Sequence, residues 1–271
     1  FHAESLQLIS SNNVTERRYY VYGDYQTING VTFAHSIDKY FDGADEPNFI
    51  HRIDQLNIIE SIDPSRFEVP EGFAAVIPEA DGKLVSTKIA ADLYLVTDSS
   101  ARRNVLFKVT GDEIAVFGAP QSEALSDQTI KLIASQFPNK AINSVYVTHP
   151  HGDSIAGLAA YAKRNIVIRS DAYSIEAIKA FPDFLADIGQ FKFQVIEHNE
   201  MINDVSYYVL ESSHSKRHGF VHFKDEGIVY QAELLSVPFD NTVPEVVPNS
   251  TKTFVDFVRA KRLKFSRIVG L

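Results

Sequence analysis

Two histidines and an aspartate occupy alternate positions in Thr148-His149-Pro150-His151-Gly152-Asp153. Imidazole nitrogen and carboxylate oxygen are the ligands that zinc and related ions take, and three of them at this spacing can converge on one cation from a single short loop. An apolar β-type run over 142–147 precedes the loop, and an Ala-rich helical stretch over 155–163 follows it. These residues make the chain a candidate metal hydrolase.

A third imidazole has to come from elsewhere. His214, in Glu211-Ser212-Ser213-His214, and His218, before Gly219, compete for that position. His218 has two other readings, contact with substrate or exposure to solvent. Lys216 and Arg217 between them could attract an anionic group, although a charged loop tip is usually only solvated. Glu233 lies between Ala232 and Leu234 in an apolar stretch, where an unpartnered carboxylate is costly; a site role, or pairing with a cation, would satisfy it. Ser154 reads as the N-cap of the following helix rather than as a ligand. His222, in Phe220-Val221-His222-Phe223, reads as a packed strand residue, and His2, His35, His51 and His198 read as surface or loop. Ser99-Ser100 and Ser212-Ser213 lack the surroundings of a nucleophile elbow. The chain has neither a phosphate-cradling Gly-rich loop nor a dinucleotide fingerprint.

With 271 residues, 45% of them hydrophobic, the chain can form one large domain or two small ones. Its formal charge of -9 argues against nucleic acid as a partner, because phosphate binding needs clustered Lys and Arg. A small-molecule substrate is the expected partner. With no Cys there is neither a disulfide framework nor a thiolate metal site, so any ion must be held by His, Asp and Glu. No apolar run approaches the length of a membrane span. The chain opens on Phe1 and its only Met is Met201, so an N-terminal piece, either a signal peptide or part of a longer domain, is expected to have been removed. A periplasmic or secreted location is expected on that basis, with a cytoplasmic one as the alternative.

The elements that must position these groups divide near residue 82. Residues 1–82 read as a β-rich extension: an aromatic run over 19–25, the hairpin signal Asn29-Gly30, and a strand candidate over 49–59. Pro64, Pro70-Glu71-Gly72, Pro78 and Asp81-Gly82 mark a turn-rich connection. From 83 to 271 short apolar strands alternate with helices. Ser126 is a candidate cap for a helix over 127–137, and Thr251 for a last helix over 254–261. Sheets packed face to face with helices outside are the expected result.

The region 83–271 resembles the metallo-β-lactamase superfamily. The matching stretches are Leu93-Tyr-Leu-Val-Thr97 with 104–109, Ile114-Ala-Val-Phe-Gly-Ala-Pro120, Thr148-His-Pro-His-Gly-Asp-Ser-Ile-Ala-Gly157, Glu211-Ser-Ser-His214 and Tyr230-Gln-Ala-Glu-Leu234. The resemblance implies a four-layer αββα sandwich, an α/β fold, behind the N-terminal β-rich extension. It implies a metal held by His149, His151, Asp153, His214 and Glu233, with Asp153 catalytic. The sequence departs from the pattern at Ser154, where the family has His, at Glu233, where it has Asp, and at Gly118, where it has an acid. The family's last His would follow a terminal strand like 268–271. One well-bound zinc ion is therefore expected and a second is doubtful. The implied activity is hydrolysis of a small ester, amide, thioester or phosphoester by a metal-bound hydroxide, with Asp153 orienting or deprotonating the water. The alternative is a non-catalytic binding or scaffold protein that keeps the fold with a degenerate site.

Overall fold

The computed structural model describes residues 1–2, 4–13, 18–41, 43–68, 82–98, 104–236 and 247–270. The chain divides into two compact units, Phe1–Val76 and Ile77–Leu271. Most of the expected turn-rich connection, and Ser99-Ser100, lie outside the described residues.

The first unit carries one antiparallel sheet of strands β1 (Ser10–Asn13), β2 (Arg18–Ile28), β3 (Val31–Phe41) and β4 (Phe49–Arg52), in that order. Asn29 and Gly30 both have positive φ (51° and 82°), as a two-residue hairpin turn between right-twisted strands requires. The strand expected over 49–59 ends at Arg52; one more in-register bond, Ile53 N–H to the His35 carbonyl, follows, and the Ile53 carbonyl is taken by the His35 ring. His35, expected at the surface, is buried in β3 with Nδ1 2.6 Å from the Ile53 carbonyl.

In the second unit the first sheet contains β5 (Val85–Lys88), β6 (Leu93–Thr97), β7 (Val105–Thr110), β8 (Glu113–Phe117), β9 (Ala141–Tyr146), β10 (Val167–Ser170) and β11 (Lys192–Val195), in the order β11-β10-β9-β8-β7-β6-β5. From β8 to β11 the pairing is parallel; from β5 to β8 it is antiparallel. The second sheet runs β12 (Glu200–Ile202), β13 (Val205–Leu210), β14 (His218–Phe223), β15 (Ile228–Gln231) and β16 (Arg267–Gly270). The connecting helices are α1 (Glu123–Gln136), α2 (Gly152–Ile155), α3 (Leu158–Ala162), α4 (Ala172–Lys179) and α5 (Asn249–Lys261).

Alternation of side chains along the strands builds four layers from these pieces. In β7 and β8, Leu106 and Phe117 face one way, toward Val205, Tyr207, Val221, Phe223 and Tyr230 of the second sheet. Val105, Phe107, Ile114 and Val116 face the other way, onto Ile130 and Ile133 of α1 and onto α3. The far face of the second sheet places Tyr208, Leu210, Phe220 and Val229 against Phe254 of α5. Strands buried on both faces read as continuous apolar runs, and this accounts for sequences such as Val-Leu-Phe and Ile-Ala-Val-Phe. The α/β sandwich expected from the resemblance is the fold observed.

Three caps differ from expectation. Helix α1 begins four residues earlier, where the Ser122 hydroxyl accepts from the Leu125 N–H, and Ser126 is buried inside the helix. Thr251 lies inside α5, which follows Pro248. Ser154 is not a cap either: it lies within α2, buried, and its hydroxyl has no hydrogen-bond partner among the described residues. Among the described residues no helix is long and apolar enough to cross a membrane.

Candidate metal centre

The loop after β9 carries His149 and His151 past the ends of the parallel strands. It is anchored by Val147 N–H to the Arg169 carbonyl (3.1 Å) and by the Ser170 hydroxyl to the Val147 carbonyl (2.9 Å). His149 is fully buried. Its Nδ1 lies 2.9 Å from Thr148 Oγ1, which fixes the ring so that Nε2 faces the opposite way. The first turn of α2 is tied down by Gln121 N–H to the Asp153 carbonyl at 2.7 Å.

His214 comes from residues 211–217, between β13 and β14. The buried Ser212 hydroxyl organises this turn by accepting from the backbone N–H of His214 (3.3 Å) and of Ser215 (3.2 Å). Glu233 comes from the turn after β15. It has φ +58°, a conformation that non-glycine residues seldom adopt. Gln231 holds it there: its Oε1 accepts from Leu234 N–H (2.8 Å) and Leu235 N–H (3.0 Å), and its Nε2 donates to the Leu235 carbonyl (2.9 Å). Leu234 N–H also meets the Ala232 carbonyl at 2.8 Å and closes a three-residue turn about Glu233.

These elements bring His149, His151, His214 and Glu233 together, with one ligand atom of each within 4.8 Å of the others. Glu233 Oε2 is 3.0 Å from His149 Nε2 and 3.0 Å from His214 Nε2, and the two imidazole nitrogens are 3.3 Å apart. Donors at about 2.0–2.1 Å from a common tetrahedral ion stand about 3.3 Å from one another. The three measured edges therefore match a one-ion donor set. The hydrogen bonds from His149 and His214 hold the Glu233 carboxyl far below the usual carboxylate range, against its partial burial. Burial pushes His149 below the ordinary histidine value, toward the neutral form that binds metal.

Asp153 is not part of this convergent group. Its carboxylate is exposed on the first turn of α2, and it reaches His149 only through its electrostatic field. His218 is neither a third ligand nor a solvent-facing group. It is fully buried at the start of β14, with Nε2–H donating to the Ala232 carbonyl at 2.6 Å and Nδ1 3.4 Å from Ser212 Oγ. Nε2 is committed to that carbonyl and His218 is absent from the convergent group, and burial pushes its pKa well below the ordinary value. His222 is buried in β14 as expected, with Nε2 3.1 Å from the Lys264 carbonyl. Lys216 Nζ sits over the Tyr173 ring at 5.3 Å, which places the charged tip of the His214 loop against the start of α4.

Gln231 and Gly219 did not stand out in the sequence. The glycine between His218 and Phe220 was one available signal. Gly219 donates its N–H to the Thr148 carbonyl at 2.7 Å, and a Cβ there would collide with the Tyr146 hydroxyl. It is the point where the second sheet meets the His149 loop.

No model of a known protein family matches the chain, and no curated protein does. Solved structures do. The chain is similar to the metallo-β-lactamase FIM-1 from Pseudomonas aeruginosa in its mono-zinc form, with 16% identity, 69% of this chain and 86% of that one covered, and a TM-score of 0.52. It is similar to a metallo-β-lactamase from Erythrobacter litoralis, with 15% identity, coverage of 70% and 89%, and a TM-score of 0.54. A third match, VMB-1, has 15% identity, coverage of 69% and 88%, and a TM-score of 0.53. The chain adopts the metallo-β-lactamase fold.

Proposed function

We propose that this chain is a metal-dependent hydrolase whose single ion is held by His149, His151, His214 and Glu233. The convergence of these four side chains, with three contacts of 3.0–3.3 Å, carries the reading. Three imidazoles and a carboxylate are a donor set that zinc accepts, and the mono-zinc relative of the same fold supports that choice of ion. When bound, the ion supplies a Lewis acid and lowers the pKa of a coordinated water to about 7.

The protein's own groups do the rest. Asp153, exposed beside the His pair, accepts or orients the proton of the attacking water. Lys216, held over Tyr173, offers a positive charge to an anionic portion of the substrate. The substrate class is a small ester, amide, thioester or phosphoester. The test is elemental analysis of protein purified without chelator, followed by turnover on a panel of those substrates. One ion per chain with metal-dependent turnover is expected; a chain that takes up no ion, or two tightly, overturns the reading.

A second reading is favoured by Glu233 itself. Four protein donors around one tetrahedral ion leave no open position, as in structural zinc sites. On this reading the chain keeps the fold as a binding or scaffold protein. Glu233→Gln separates the two: where the carboxylate serves catalysis, turnover seen in the wild type is lost in this variant, whereas a sealed site shows no turnover in either protein.

A further inference from the structure

Three of the four donor side chains lean on one buried residue that is not itself a donor. The His218 ring lies 4.3 Å from the His149 ring, centroid to centroid, at 35°. Its Nε2–H donates to the carbonyl of Ala232, the residue before Glu233. Its Nδ1 faces the Ser212 hydroxyl, which receives the His214 N–H. The loops bearing His214 and Glu233 leave different strands and have no reason in local sequence to keep a fixed separation. An imidazole spans two polar atoms at opposite edges of a rigid ring, so it sets that separation where a flexible side chain would not.

We propose that His218 is a positioning residue, a strut between the Ser212 turn and the Ala232 carbonyl that holds His214 and Glu233 at one-ion spacing. The inference rests on the metal-centre reading above and adds what fixes its geometry. Partners of this kind behind metal ligands typically govern affinity by about 10–100-fold.

The test uses the full chain and zinc alone, with affinity read by competition against a chelator, and cobalt substitution to report coordination number in the visible spectrum. His218→Phe keeps the ring volume and removes both polar ends. It is expected to weaken zinc binding by about 10–100-fold and to change the cobalt spectrum. His218→Gln restores an N–H for the Ala232 carbonyl and is expected to recover most of the affinity and the wild-type spectrum. Wild-type affinity and spectrum in the Phe variant overturn the inference. A loss that Gln does not recover at all also overturns it, because the effect would then be one of packing. If the Phe variant fails to fold by circular dichroism, His218→Leu removes both polar ends in a smaller side chain and leaves the Ser212 turn its own hydrogen bonds. About tenfold weaker zinc binding is expected from it, and no change overturns the inference. If the wild-type chain takes up no zinc, the metal-centre reading falls and this inference falls with it. Wild-type binding with unaffected variants sinks the strut alone.

Discussion

The two halves of the candidate metal centre are built by different means. His149 and His151 are two residues apart on one loop, which continues a central parallel strand and runs into α2. Their spacing is covalent, and the anchors around them are backbone bonds such as Val147 N–H to the Arg169 carbonyl, joined by the hydroxyls of Ser170 and Thr148. His214 and Glu233 stand nineteen residues apart on two separate turns. Those turns are held by side chains: Ser212 for one, Gln231 for the other, and His218 between them. The first half is therefore fixed by the fold. The second half depends on a few buried polar groups and includes a non-glycine residue at positive φ. A site assembled this way has one half positioned by the sheet, and one that the loss of a single supporting side chain can disperse.

The comparison can be broken at its firmest point. His149→Ala removes a donor from the rigid half. It should weaken zinc binding by more than the roughly 100-fold typical of losing an outer hydrogen-bond partner and abolish any hydrolysis. The circular dichroism spectrum should remain that of the wild type, because His149, although buried, lies on a loop outside the apolar clusters that hold the sheets and helices together. Undiminished metal content in this variant would remove the ligand assignment altogether.

Gln231→Ala attacks the softer half. Leu235 N–H loses its side-chain acceptor while Leu234 N–H keeps the Ala232 carbonyl, and the cost should be about 1–2 kcal/mol, the lower range for a buried donor left unpaired. Zinc affinity should fall along with the midpoint of urea unfolding. A drop in stability with zinc binding intact would show that Glu233 does not need its turn.

Gly219→Ala tests the seam between the halves, where β14 touches Thr148 and Tyr146. Overpacking there should cost about 1–2 kcal/mol, read as a lower thermal midpoint. Unchanged stability would mean that the seam is loose.

The smallest effect is expected from Ser154→Ala. The hydroxyl is buried without a partner among the described residues, so its removal should leave stability unchanged or raise it by up to about 1 kcal/mol. Metal content should not change. Loss of metal would make Ser154 a ligand after all.

The sequence carried the rigid half well because its signal is local. A His-x-His-x-Asp loop between a strand and a helix offers its donors on one short segment, and the resemblance named His214 and Glu233 as further candidates, although Asp153 stays outside the convergent group. The same local logic misplaced the caps of α1 and α5, where a serine or threonine near a helical pattern competes with its neighbours for one role. It also treated Ser154 as a cap when the helix starts at Gly152. His218 shows the limit most plainly. A histidine next to a glycine in a charged loop reads as a ligand or a surface group, and only its burial between two other segments reveals a strut.

By itself, then, the order of residues determined the layered fold, through strands apolar on both faces, and the identities of the donors able to meet an ion. Which of those donors converge, with Glu233 drawn in against His149 and His214 while Asp153 stays outside, was decided by tertiary structure. Ligand spacing across 84 residues of chain, from 149 to 233, is set by how two sheets pack and by which buried polar atoms must find partners. Neither is a property of any short stretch of sequence.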